Sequence, residues 1–284
     1  TSGGALPGWE AGTKIQASDA QANDTFGGEN AVSMSSDGTK VIVAARLEDT
    51  GGTSAGKAYI YTYSSGSWGS EVMLQSSDIQ ANDFFGHSVS MSGDGTKVIV
   101  GAYGEDTGAS LSGSAYIFAF SSGSWSQEAK IQASDRQDAD YFGESVSMSS
   151  DGTRVIVGVP QEDTGGAAAG SAYIFAYNSG SWSQEAKIQS SDIQANDRFG
   201  YTVSMSGDGN KVLVGATNEG GSWTGAAYIF AYNSGSWSQE AKLLPSDTAS
   251  NVEFGRKIAM SSDGTRVIVG AIYEDTGGYN VGKA

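Results

Sequence analysis

The chain has 284 residues, 32 acidic against 16 basic side chains, a net charge of −16, 41 glycines, three prolines, one histidine and no cysteine. So acidic a surface repels phosphate backbones and anionic lipid, which argues against nucleic acid and membrane insertion as partners. The lack of cysteine excludes a disulfide framework, a thiolate metal site and a thiol nucleophile, while abundant glycine with little proline favours tight turns over helices.

No apolar run reaches the roughly 18 residues of a membrane span. The chain opens Thr1-Ser2-Gly3-Gly4 without a basic and apolar leader, as a processed secreted chain does. The first expected element is an outer strand from Trp9 to Ala17, and it begins a unit that recurs along the whole sequence. Trp9, Trp68, Trp125, Trp182 and Trp237 are each followed 17 residues later by a Phe-Gly pair, at Phe26, Phe85, Phe142, Phe199 and Phe254. The copies span approximately 9–67, 68–124, 125–181, 182–236 and 237–284, in one domain covering 1–284.

The second copy shows the expected strands in order. Ser88 to Ser92 alternates apolar and small polar residues, the pattern of a strand with one buried face. The Asp94-Gly95 pair reads as a two-residue hairpin turn. Val98 to Ala102 is apolar on both faces, as a covered strand should be. Beyond the Glu105-Asp106 loop, Ala115 to Phe120 is rich in aromatic and β-branched residues. Strict alternation in the last strand puts Trp125, Gln127, Ala129 and Ile131 on one face, leaving Glu128 and Lys130 on a solvated face at a sheet edge.

Four-stranded antiparallel units of this length, each with an unsatisfied apolar face, pack around a channel, so the expected fold is an all-β, five-bladed β-propeller of four-stranded antiparallel blades. The fifth copy stops at Ala284, where its third strand begins, and closure of the ring by the N-terminal strand is expected. A longer natural chain, or a strand donated by a neighbouring subunit, are the alternatives.

The series Asp-x-x-x-x-Asp-x-Phe-Gly, Ser-Val-Ser-Met-Ser, Val-Ile-Val-Gly-Ala and Ala-Tyr-Ile-Phe, at Asp78 to Ala102 with Ala115 to Phe118 and at Asp135 to Val159 with Ala172 to Phe175, resembles the FG-GAP repeats of integrin α-subunit propellers and related proteins. That resemblance implies adhesion, sugar binding or structural roles, and it implies calcium held by an Asp-x-Asp-x-Asp-Gly loop. No copy carries that spacing. No cofactor is therefore assigned, and Ca2+ stays open only through two recurring acidic groups. One pairs Asp78 with Asp83 and Asp135 with Asp140; the other is the loop Glu105-Asp106, Glu162-Asp163 and, in the fifth copy, Glu274-Asp275. The competing reading is that these residues cap turns and face solvent.

Paired carboxylates also bring glycoside hydrolysis to mind, but near-equivalent copies argue against a single asymmetric active site. The one histidine, His87, fills a slot held by Gly28, Glu144, Tyr201 and Arg256 elsewhere and reads as a surface or channel-lining residue. The repeated tryptophans read as anchors of the outer strand; the unrepeated Trp223 is the candidate for ligand contact, and Asn23 begins an N-glycosylation triplet. The functional expectation is a non-catalytic secreted or cell-surface propeller acting as a binding, adhesion or structural scaffold, with a cell-surface protein or glycan, or copies of itself, as partner. The alternatives are a filament subunit assembled by strand exchange and a multivalent lectin.

Overall fold

Each repeat folds into a meander in which successive strands pair antiparallel, running outward in chain order. The computed structural model describes residues 12–221, 223–245, 251–273 and 282–284. The second blade is β6 (Ser88–Met91), β7 (Lys97–Ala102), β8 (Ser114–Ser121) and β9 (Ser124–Ile131). The third, β10 (Ser145–Met148) to β13 (Ser181–Ile188), and the fourth, β14 (Phe199–Met205) to β17 (Ser236–Leu243), repeat that order. In the first blade, β1 (Val32–Met34), β2 (Lys40–Ala45) and β3 (Lys57–Ser64) are followed by an outer strand broken into β4 (Ser67–Trp68) and β5 (Val72–Leu74).

Two local expectations are corrected. The Asp-Gly turn is not a two-residue hairpin, because Ser92 and Lys97 are the closing pair, with Ser92 N donating to Lys97 O at 2.9 Å. Asp94 closes the longer loop by accepting from Thr96 N at 2.9 Å and Ser92 Oγ at 2.7 Å, and Gly95 sits at φ 64°. The second correction concerns the outer strand. Phe118 pairs with Gln127 but Ile117 pairs with Ala129, so Glu128 is an extra bulge residue. A one-residue slip exchanges the faces of everything beyond it. Lys130 therefore lies opposite Tyr116, and Ala129 and Ile131 turn to the other face, against the following blade. The third and fourth blades carry the same bulge.

Blades stack through their apolar faces. Phe85, Phe142 and Phe199 are fully buried, each bridging in parallel to a glycine of the preceding blade. Backbones approach so closely there that a Cβ on Gly158 would lie 1.9 Å from Gly200 O. Inner strands are laced by serine: Met91, Met148, Met205 and Met260 each donate a backbone N–H to Ser33, Ser90, Ser147 and Ser204 Oγ of the blade before.

The fifth sheet departs from the expected four strands. Among the described residues it contains β18 (Phe254–Met260) and β19 (Val267–Ala271). Lys283 bridges Ala271 as Lys57 bridges Ala45, marking the start of a third strand. Thr1 to Leu6 and Trp9 lie outside the described residues, and 12–17 contain no strand, so the expected closing strand is not formed by those residues. Instead Ile15 and Ala17 pack against the first blade, with Tyr59 and Tyr61. At this seam, residues buried elsewhere are open: Met34 is 55% exposed against 6% for Met91, and Ile268 is 58% exposed against 0% for Ile99. Lys257 Nζ reaches across it to Asn30 Oδ1 at 3.1 Å.

Candidate functional site

The two acidic groups do converge, but on a lysine. In the second blade the bulge brings the Lys130 ammonium against Asp78 Oδ2 at 2.7 Å, Glu105 Oε1 at 2.9 Å and Thr107 Oγ1 at 3.0 Å. Tyr116 donates its hydroxyl to Asp78 Oδ1 at 2.9 Å, and Ser114 donates to Glu105 Oε2 at 2.6 Å. Burial pushes Glu105 up, yet the bonds from Ser114, Thr107 and Lys130 outweigh it and hold the carboxyl below its usual range. Asp78 is held down against burial in the same way by Lys130 and Tyr116. The third blade repeats the set with Lys187, Asp135, Glu162 and Tyr173, and the fourth with Lys242, Asp192, Glu219 and Tyr228.

The first blade solves the same problem from another strand. Met73 occupies the position facing Tyr59 that Lys130 takes facing Tyr116. Lys57, where the second blade has Ser114, supplies the ammonium, 2.7 Å from Asp19 Oδ2 and 3.1 Å from Glu48 Oε1. Two exchanges that each would break the cluster occur together and preserve it.

This arrangement answers the calcium expectation. Oxygens that a divalent ion would need are already spent on an ammonium and on hydroxyl donors, and among the described residues no group of three or more carboxylate or histidine side chains is spaced to hold a metal. The donor set does not fit calcium. Asp106 and Asp163 stand apart from the clusters; their carboxylates accept Leu111 N at 2.6 Å and Ala168 N at 2.8 Å and so fix exposed loop tips. Asp83 and Asp140 are buried and accept Gln80 N at 2.7 Å and Gln137 N at 2.6 Å. Burial pushes both up to about 6, helped by neighbouring carboxylates. Glu274 and Asp275 lie outside the described residues.

The repeated tryptophans tie blades together. Trp182 Nε1 donates to Glu128 Oε2 of the preceding blade at 2.8 Å, and Lys97 pairs with the same carboxylate at 2.9 Å while sitting 3.8 Å over the Tyr177 ring. Trp223 occupies a position that does recur: with Ser54, Leu111 and Ala168 it shares a positive φ and a carbonyl accepting from the next blade. Its ring lies 4.7 Å beneath the Arg198 guanidinium. Asn23 is exposed, at φ 77°, on a loop.

What the repeats obscured is a cavity of about 370 Å³ where the first four blades converge. Its walls include Arg46, His87, Tyr103, Glu144, Arg198 and Tyr201. Arg46 Nη1 lies 3.0 Å from His87 Nδ1; a guanidinium only donates, so Nδ1 accepts and the imidazole carries its proton on Nε2, 3.4 Å from Glu144 Oε1. Tyr103 stacks on Phe84 with ring centroids 5.0 Å apart and meets His87 edge-on. Burial is the first cause that pushes the Tyr103 and Tyr201 hydroxyls up, keeping them as donors. The signal for this site was the slot in which His87, Glu144, Tyr201 and Arg256 replace one another.

No curated protein matches the sequence. Among solved structures, hydrazine synthase of Kuenenia stuttgartiensis superposes with a TM-score of 0.55 at 13% identity, covering 91% of this chain and 59% of that one, a likeness of fold alone. The present chain thus spans less than two thirds of that structure's length. The family model described as FG-GAP repeat matches residues 9–61, 68–118, 125–175, 182–230 and 237–284. Five successive matches on five successive sheets place this chain in the FG-GAP repeat family, as a β-propeller.

Proposed function

We propose that this chain is a non-catalytic binding and structural scaffold of the secreted or cell-surface kind, with its ring completed between the fifth and first blades by the N-terminal segment. FG-GAP repeats are typical of extracellular and cell-surface proteins, which supports the location. One observation carries the scaffold reading: the recurring carboxylates and lysines are engaged with each other in each of the first four blades, and Trp182 and Trp237 bond carboxylates of the blade before, so the repeated chemistry is used in holding the fold. Thermal unfolding in calcium and in chelator tests it. Superimposable melts are expected, and a melting point that rises with calcium would overturn the metal-free scaffold.

A filament subunit is the second reading, favoured by the open seam where Val32, Met34 and Ile268 stay exposed. Ala259 stands there in place of the lacing serines Ser33, Ser90, Ser147 and Ser204, so the fifth inner strand offers no hydroxyl to a first blade. Sedimentation across a concentration series separates the two. A single species near 29.2 kDa supports ring closure, and concentration-dependent growth supports strand exchange.

A further inference from the structure

Three axial positions differ in every blade. The residue before Phe-Gly is Thr25, Phe84, Tyr141, Arg198 and Glu253 in turn. The residue after it is Gly28, His87, Glu144, Tyr201 and Arg256. The residue after the second strand's apolar run is Arg46, Tyr103, Pro160, Thr217 and Ile272. No residue type recurs within any of the three sets. Not every solvent-facing position varies: Ser-Gly-Ser-Trp recurs at 65–68, 122–125, 179–182 and 234–237 with its first three residues exposed in each. Other loop positions vary too, Ser54, Leu111, Ala168 and Trp223 among them, but at the axis the variation brings large polar and aromatic side chains into one cavity of about 370 Å³.

The charges there are unusual for so acidic a chain. The cluster lysines Lys57, Lys130, Lys187 and Lys242 each hold two carboxylates. Among the described residues, by contrast, Arg46 and Arg198 have no carboxylate in ion-pair contact; Arg46 is turned to His87 and Arg198 lies on Trp223. Guanidinium groups kept out of ion pairs beside a cavity present forked donors suited to a carboxylate. Tyr103 and Tyr201, each with one ring face already covered, by Phe84 and by Arg256, add aromatic surface, and Glu144 and Glu29 add acceptors for hydroxyl groups.

We propose that the axial cavity binds one uronic acid residue of an acidic saccharide. Arg46 and Arg198 take its carboxylate, the tyrosine rings take the sugar face, and Glu144 and Glu29 accept from its hydroxyls. All these residues belong to the first four blades, and the fifth adds Lys257 beside Glu29 and Arg256 over the Tyr201 ring. It is a single site per chain, unlike the repeated sites of a multivalent lectin.

Isothermal titration of the full chain with glucuronate and galacturonate, alongside glucose and acetate, tests the assignment. One uronate per chain is expected, with glucose and acetate each weaker by about tenfold or more. Arg198→Gln, which removes a half-buried stack on Trp223 and keeps the backbone bond to Ala168, and Arg46→Gln are each expected to weaken uronate about tenfold. A melt of each variant shows whether it folds; if Arg46→Gln does not, Arg198→Gln decides alone. No saturation by about 10 mM uronate, a stoichiometry near five, acetate binding as tightly as uronate, or an unchanged affinity in folded Arg198→Gln would each overturn the proposal.

Discussion

A lysine ammonium held between a buried glutamate and a part-exposed aspartate acts as a cation built into the chain. Removing it leaves Glu105 and Asp78 with hydroxyl donors but no counter-charge, and Lys130→Met is expected to destabilise the protein by about 2 kcal/mol, read from denaturant unfolding. The first blade suggests the repair. In Ser114→Lys with Lys130→Met, which copies Lys57 and Met73, most of that loss should return; a double variant as unstable as the single one would show that the ammonium's position does not transfer. The buried Asp83, Asp140 and Asp197 set the pH response, since all three are pushed up to about 6, burial being the first cause. The unfolded chain releases these protons near ~3.9. Folding thus binds protons between the two values, and this contribution is complete below the lower one and lost as pH rises through 6. Above about pH 5, where the carboxylates held low are ionised folded and unfolded alike, stability should fall toward pH 7 in a urea series, and the triple Asp→Asn variant, which keeps each oxygen acceptor for the N–H of Gln80, Gln137 or Gln194, should flatten that slope.

At the scale of the strand, one extra residue decides the chemistry. Glu128 is legible in the sequence as a polar residue of an alternating strand, and alternation sends Lys130 to solvent. The bulge reverses the face, and what fixes it is three-dimensional: Glu128 must reach Lys97 and the Trp182 of the next blade. Close backbone packing between blades is testable at equivalent positions. A methyl group on Gly158 would collide with Gly200 O, whereas the nearest atom to one on Gly270 is Lys257 O at 3.5 Å. Gly158→Ala is expected to cost about 2 kcal/mol and Gly270→Ala less than about 0.5 kcal/mol. Equal costs in thermal unfolding would mean that the fifth blade is packed in solution like the third.

Across the whole molecule, pseudo-symmetry makes each interface a control for the others. Met34 and Met148 are equivalent in the repeats, but only Met148 is enclosed by its neighbour. Met148→Lys places a charge in an apolar interface and should lower stability by about 3 kcal/mol or more. Met34→Lys should change it by less than about 1 kcal/mol and should dissolve any assembly that forms through the seam. Matched losses at the two sites would place the first blade against the fifth as tightly as the third lies against the second.

The sequence by itself determined the repeat, the all-β class, the four-strand order and the family, because each rests on local periodicity and turn chemistry copied several times over. It also placed the acidic pairs and noted the slot holding His87. Only the tertiary structure decided what these groups do. A bulge, invisible to strict alternation, turns Lys130 onto Asp78 and Glu105, and Lys57 supplies the equivalent ammonium from a different strand. Likewise Arg46, His87 and Arg198 lie far apart in the chain and meet because consecutive blades converge on one axis, a relation that depends on packing between sheets and not on the pattern within any one of them.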